Sequence, residues 1–456
     1  MTIFFALFIL PVNIQTGSIV KTNIASKVKT FTHEGGTAKI VNAEHKLRRS
    51  VLSCFLFENT FYEDGVEIAQ RIRDLVQNVN TDTVSKLAIE ARTVHNLRHC
   101  PLWLLNAMAQ NKKHLKVLDA VIPQVINRAD EIAEFLAMYW LPAKHPIAAP
   151  VKRGLAECFH KFNEYQFAKY NRDAKIKLRD VMFMVHPKPA DDKEKELFKR
   201  IADNELQTPD TWEVALSAGK DKKATWERLM LENQLGGLAF LRNLRNMMQV
   251  NVNLGIITAY FDRANFSRVL PFRFIAAARV VPQFENQLDR AMLKLCEKLD
   301  RLKGLTCIVC DVSGSMSSPI SDKSDLSRDA ASGGVAAVLR EVCEDVIIFG
   351  FGNNLYVIPP RRGMSLIDMV KHRNEGTYLR GALEHIINNY NFDRLVVITD
   401  EQSHDGIANA PIKGRSYLIN VAPNQNGVGY YDWIHIDGFS ESVIKFITEY
   451  EKCQTV

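Results

Sequence analysis

From about Ala43 to Leu302, apolar residues recur at steps of three and four and β-branched alternation is scarce, which predicts helices almost throughout. GVEIAQRIRDLV, TVSKLAIEARTV, HLKVLDAVIPQVI and ADEIAEFLAMYW carry the pattern. The helices are of comparable length and are separated by short polar or proline-bearing breaks, as at Pro101, Pro123 and Pro142. That arrangement predicts an α-solenoid of helix pairs, although no strict sequence period is visible. Residues 185–225 are the most polar part and predict an exposed connection plus a helix. The character changes at Leu305. TCIVCD, DVIIFGF, NLYVI, RLVVITD and RSYLINV are short, apolar and β-branched, and helical stretches lie between several of them. Strands alternating with helices predict a doubly wound, mostly parallel sheet. Within it, DVIIFGFGNNLYVI reads as one hairpin turning at Gly352-Asn353-Asn354. SESVIKFITEYEKC reads as the last helix. The expected division is a helical part over residues 1–302 and an α/β part over residues 303–456.

Charge follows the same division. The chain has 58 Lys+Arg and 52 Asp+Glu; residues 303–456 hold 14 and 19 of them, leaving 44 and 33 in residues 1–302. A basic body joined to an acidic C-terminal part points to a polyanion partner for the first and something else for the second. Cys307 and Cys310 form the one C-x-x-C among eight cysteines, but they sit in LTCIVCD, which reads as a buried strand, so they are expected to be core residues. Cysteine usage fits a reducing, cytoplasmic setting. MTIFFALFILP lacks a preceding basic residue and a small-x-small cleavage pattern, and is far too short to span a bilayer. It is expected to pack against the fold, with no membrane partner.

DVSGSM directly follows the first strand and offers Asp311, Ser313 and Ser315 at two-residue steps. A tight loop there can turn one carboxylate and two hydroxyls toward a common point, at the sheet end where ligands bind. EGTYLRGAL adds Thr377 in a loop opening a helix, and VVITDEQ puts Asp400 at the end of a later strand. Hard oxygen donors with few carboxylates suit Mg²⁺ or another divalent cation with retained waters and one place left for a partner's carboxylate. D-x-S-x-S, a Gly-Thr and a T-D after an apolar strand resemble the metal-ion-dependent adhesion site of von Willebrand factor A domains. The resemblance implies a ligand-binding site, not a catalytic one, with Asp311, Ser313, Ser315, Thr377 and Asp400 as the metal residues and a protein ligand at the metal.

Residues 144–188 carry ten basic and four acidic residues. At 100° per residue, Leu178, Val181, Met182 and Val185 form an apolar stripe, and Lys175, Arg179, Phe183 and His186 fall on its neighbour. A cationic stripe interrupted by an aromatic ring suits phosphate contact with base stacking. The residues alone allow a solvated face equally well.

HNLRHCPLWLL, EYQFAKYNRD…KLRDVMFMVHPKP and LDRLKGLTCIVCDVSGSM together resemble the TROVE module of Ro proteins, over nearly the whole chain. The resemblance implies a ring of HEAT-like helical repeats closed by a von Willebrand factor A-like, Rossmann-like domain. It also implies Y RNA on the outer face and single-stranded 3′ ends of misfolded or structured small RNAs in the central hole, in RNA quality control or as an RNA scaffold. A 3′-to-5′ exoribonuclease works beside bacterial relatives. By motif match, Lys169, Arg172, Lys175, Arg179, His186 and Lys188 belong to the RNA surface, with Arg98 and His99 as further candidates. His45, Arg48 and Arg49 would extend it on charge alone. The alternative is a metal-dependent protein-adhesion module whose basic body contacts an acidic protein. Enzymatic activity is not expected, since no G-x-x-x-x-G-K-[ST], H-E-x-x-H or G-x-S-x-G occurs.

Overall fold

The structure is a computed structural model that describes residues 42–52 and 65–451, apart from 142, 171–174, 209, 218, 268, 270, 322–323, 325, 423–426, 430–431, 439–442, 445–446 and 449. The apolar N-terminal segment, Pro142 and Arg172 lie outside the described residues, and the expected final helix is only partly within them. Among the described residues there are twenty α-helices and six strands; seventeen of the helices precede Leu302. The architecture is helical repeats plus an α/β unit, as the pattern of periodicities predicts.

Local sequence explains many helix starts. Asn80 accepts a hydrogen bond from the Thr83 amide (2.8 Å), Asp191 from Glu194 (2.8 Å) and Asn253 from Gly255 (2.8 Å), each satisfying an amide that a first turn leaves without a helical partner. Pro101 lies in the first turn of helix His99–Ala109, where the missing amide hydrogen costs nothing. Pro123, expected to separate helices, instead lies inside helix Leu118–Val125, which ends two residues later. Lys161 then caps that end, donating to the carbonyls of Pro123 and Ile126 and, at 3.0 Å, to Asn127 Oδ1.

The helices pack in succession: Ala43–Leu52 on Gly65–Asn78, Thr81–Thr93 on His99–Ala109, Leu118–Val125 on Ala149–Cys158 and Ala129–Tyr139 on Leu178–Val185. Buried polar groups fix these contacts. Arg92 donates to the Val125 carbonyl (3.1 Å), the Leu97 carbonyl (3.1 Å) and the fully buried Glu131 (2.8 Å), tying three helices together.

The strands are β1 (Leu302–Asp311), β2 (Cys343–Phe351), β3 (Leu355–Ile358), β4 (Arg394–Thr399), β5 (Ser416–Asn420) and β6 (Ile434–Asp437). Their order is β3-β2-β1-β4-β5-β6, parallel except for the β2–β3 hairpin. Period-two alternation sends Ile308 and Cys310 into the core shared with the helical body, and Cys307 and Val309 into a second core under helix Leu379–Asn389. The two cysteines of the C-x-x-C therefore face opposite sides of the sheet and cannot act as a dithiol pair. Burial pushes both thiols up to about 12.

The α/β unit touches both ends of the helical run. Helices Pro271–Val280 and Glu285–Cys296 pack on helix Arg328–Val342, where the bare Gly334 lets Ile275 approach; a Cβ there would lie 2.7 Å from its Cδ1. At the other end, Arg49 of helix Ala43–Leu52 is only 2% exposed and donates to Glu401, which also meets His435 of β6. Arg49 is thus a clasp between the first helix and the sheet, where charge alone had put it on an outer basic surface. Among the described residues, no helix is long and apolar enough to cross a membrane.

Candidate functional sites

β1 and β4 lie side by side at the centre of the sheet, and the connections leave them in opposite directions, β1 toward β2 and β4 toward β5. A crevice opens at the carboxyl ends of strands related in this way. Asp311 ends β1, and Asp400 immediately follows β4. Both carboxylates are fully buried, so each oxygen needs a donor. Asp311 Oδ1 accepts from the Ser313 amide (2.9 Å) and Oδ2 from Thr399 Oγ1 (2.6 Å). Asp400 Oδ2 accepts from Ser315 Oγ (2.8 Å) and Oδ1 from the Gln402 amide (3.2 Å). The Ser313 and Ser315 hydroxyls lie 3.2 Å apart. Thr377, 3% exposed, arrives on a loop pinned by the Gly314 amide to the Glu375 carbonyl (3.0 Å) and by the Thr377 carbonyl to the His404 amide (2.9 Å). Asp311, Ser313, Thr377 and Asp400 are therefore buried, and Ser315 half-buried, in one connected loop cluster.

Burial, with the Asp400 charge adding to it, pushes the Asp311 carboxyl well above the usual carboxylate range. Two buried carboxylates among hydroxyls make a donor set for a hard cation. Among the described residues, no group of three or more His, Cys, Asp or Glu side chains is placed to hold a metal. One participant escaped the sequence reading: Arg328, fully buried, donates from Nη1 to Asp400 Oδ2 at 3.1 Å. It lies outside the D-x-S-x-S, Gly-Thr and T-D segments, in SDLSRDAAS, where nothing in the local pattern marks it as buried.

The basic helices form the second site. Leu178, Val181, Met182 and Val185 are all buried, as the stripe predicts, and leave Arg179 and Phe183 outward; Phe183 is 53% exposed. The helix spans only Leu178–Val185. Lys175 therefore lies before it, and His186 ends it in the left-handed region at φ 53°. Lys175, Arg179, His186 and Lys188 are exposed, and none forms an ion pair with a described residue. Helix Glu164–Tyr170 packs on the same neighbour, Ala129–Tyr139. Its Lys169 lies 5.9 Å from the ring of Tyr165, itself 52% exposed, and 5.7 Å from that of Tyr170. The Arg128 guanidinium covers Tyr170 at 4.4 Å.

Other bases of the run are engaged internally. Lys161 caps a helix, Arg153 binds Asp119 (2.7 Å) and Lys144 sits over Trp140 (4.7 Å). Arg98 is held by Asp130 (2.8 Å) and Glu134 of the neighbouring helix, and its Nε is 3.7 Å from Glu131. His99 begins a helix half-buried. Arg48 pairs with Glu90 (2.7 Å), and His45 lies in the first turn of helix Ala43–Leu52.

Fold and sites together define a helical-repeat protein bearing a von Willebrand factor A-like unit. Residues 204–325 match the TROVE domain family, a segment that runs from the helical part through β1 and into the Asp311 loop. A segment is 33% identical over 89 residues to telomerase protein component 1 of Mus musculus and of Rattus norvegicus, covering 18% of this chain and 3% of each relative. The chain thus spans a small fraction of those proteins. The crystal structure of the Deinococcus radiodurans Ro (RSR) protein shares the fold, with a TM-score of 0.59 and 18% identity over 91% of this chain and all of that one. The TROVE match is confined to residues 204–325, and the likeness to the Ro structure is one of fold.

Proposed function

We propose that the protein is a non-catalytic RNA scaffold of the Ro type, cytoplasmic, with Y RNA on the outer face of its helical body and single-stranded 3′ ends of misfolded or structured small RNAs in a central hole. Its units divide near residues 302 and 303. The observation that carries this reading is the pairing of exposed cations that form no ion pair with a described residue, Lys175, Arg179 and Lys188, with the exposed rings of Phe183 and Tyr165. Phosphates neutralise such cations and release counterions, while unstacked bases lie on such rings. Lys169 and His186 border the same surface, and Arg172 belongs to it by motif. Arg98 is a weaker contributor, because its guanidinium already serves three carboxylates. A 3′-to-5′ exoribonuclease is the expected working partner, taking RNA that the protein presents.

The Asp311 cluster is proposed to hold Mg²⁺ through Asp311, Ser313, Ser315, Thr377 and Asp400. A bound ion there supplies a coordination place for an acidic group of a protein ligand. A single site rich in hydroxyl ligands favours binding over hydrolysis. The test is binding of the full chain to a small structured RNA with a single-stranded 3′ tail and to its blunt counterpart. The tailed RNA is expected to bind more tightly, without being degraded. Equal, salt-insensitive binding of both, or degradation abolished by Asp311→Ala, would overturn the reading.

A further inference from the structure

The Asp311 cluster contains a feature that a ligand set of oxygens does not require, a buried arginine. Asp311, Asp400 and Arg328 are each 0% exposed, so three formal charges are confined together out of water. Arg328 is fixed at the start of helix Arg328–Val342, where its amide donates to the Ser318 carbonyl (3.0 Å). The adjoining Asp329 is held separately by Ser327 and by His372 (2.7 Å). Arg328 Nη1 shares Asp400 Oδ2 with the Ser315 hydroxyl and lies 3.5 Å from the Ser315 carbonyl. The guanidinium thus engages the same carboxylate oxygen and the same loop that would serve a cation.

We propose that Arg328 sets the charge of this site, weakening divalent-cation binding on its own and making it depend on one carboxylate supplied by a ligand. The inference rests on the metal-site reading above. Among the described residues, the two carboxylates and the guanidinium sum to a net −1. A divalent ion takes it to +1, an unfavourable state where charges are desolvated. One carboxylate from a ligand returns it to neutrality. Without Arg328, the two aspartates neutralise the ion unaided, and the ligand's charge matters little. Arg328 is accordingly a positioning and specificity residue that couples ion and acidic partner, and it touches neither directly.

The test is Mn²⁺ titration of the full chain, with free Mn²⁺ read by electron paramagnetic resonance, in chloride and in acetate at equal ionic strength. In the wild-type protein, acetate is expected to strengthen Mn²⁺ binding about tenfold, as binding linkage at saturating anion allows. Arg328→Gln is expected to bind Mn²⁺ about tenfold more tightly than wild type in chloride, with the acetate gain reduced below about twofold. Arg328→Lys, which keeps the charge and guards against a misfolded Gln variant, should retain the acetate gain. Tight binding by wild type and Arg328→Gln with equal affinity in both salts would sink the proposal and leave the metal site standing. Absence of Mn²⁺ binding by every chain in either salt would sink the metal-site reading and the proposal with it.

Discussion

The helical body and the α/β unit handle their cations in opposite ways. On the body, Lys175, Arg179 and Lys188 are exposed and form no ion pair with a described residue, next to exposed rings. At the sheet, Arg49 and Arg328 are 2% and 0% exposed and each is committed to a buried carboxylate, Glu401 and Asp400, which are consecutive in sequence. A count of charges does not separate these two classes. An exposed cation remains available to a polyanion, whereas a buried one has exchanged its hydration for internal partners. The basic excess of residues 1–302 is therefore only partly available to a polyanion. Arg49, Arg92, Arg98 and Lys161 hold the architecture together.

The largest expected effect falls on the buried class. Arg49→Met leaves Glu401 without its guanidinium partner and should cost about 3–5 kcal/mol, the usual penalty for breaking a buried pair. A denaturant melt reads this as a lowered midpoint, and an unchanged midpoint would break the contrast between the two regions. Next, Phe183→Ala should weaken single-stranded RNA binding by about 1–3 kcal/mol, the range for one stacked base, while stability changes little because the ring is 53% exposed. Binding and melting of the same preparation separate those two outcomes.

Smaller still is a pH effect at the first repeat. Burial alone would raise the Glu90 carboxyl, but hydrogen bonds from His95 and Arg48 outweigh it and hold the group down at about 2. A depressed carboxylate stabilises the fold above its unfolded value near 4.5, and that contribution is lost as pH falls toward about 2. Glu90→Gln should therefore lower the melting temperature at pH 7 and make little difference at the acid end of this window. An equal deficit throughout would mean that packing, not charge, is what Glu90 supplies.

Much of this was legible in the sequence, for identifiable reasons. The break in periodicity at Leu305 marks the step from helix Glu285–Cys296 to β1, because buried parallel strands demand β-branched runs. The adhesion-type residues could be read because strand ends fix where Asp311 and Asp400 must fall. The stripe of Leu178, Val181, Met182 and Val185 predicted its buried face, but not that the helix would begin after Lys175 and stop before His186. Long-range partners were invisible. Arg49 meets Glu401 across 352 positions, and Arg328 meets Asp400 across 72; nothing local distinguishes either arginine from a solvated one. Charge patterning reports composition, while burial is decided by neighbours distant in the chain.

If exposed cations bind RNA while those engaged by carboxylates build the fold, the salt dependence of RNA affinity will separate the two classes. For Lys175→Ala with Arg179→Ala, the account predicts weaker binding to a tailed RNA and a plot of log affinity against log salt that is shallower by about 1.5, since each lost phosphate contact removes about 0.7–0.9. Arg98→Ala, measured alongside on folded protein, should leave that slope unchanged. An unchanged slope in the double variant together with a reduced slope in Arg98→Ala would contradict the account and move the RNA surface to the residues assigned to structure.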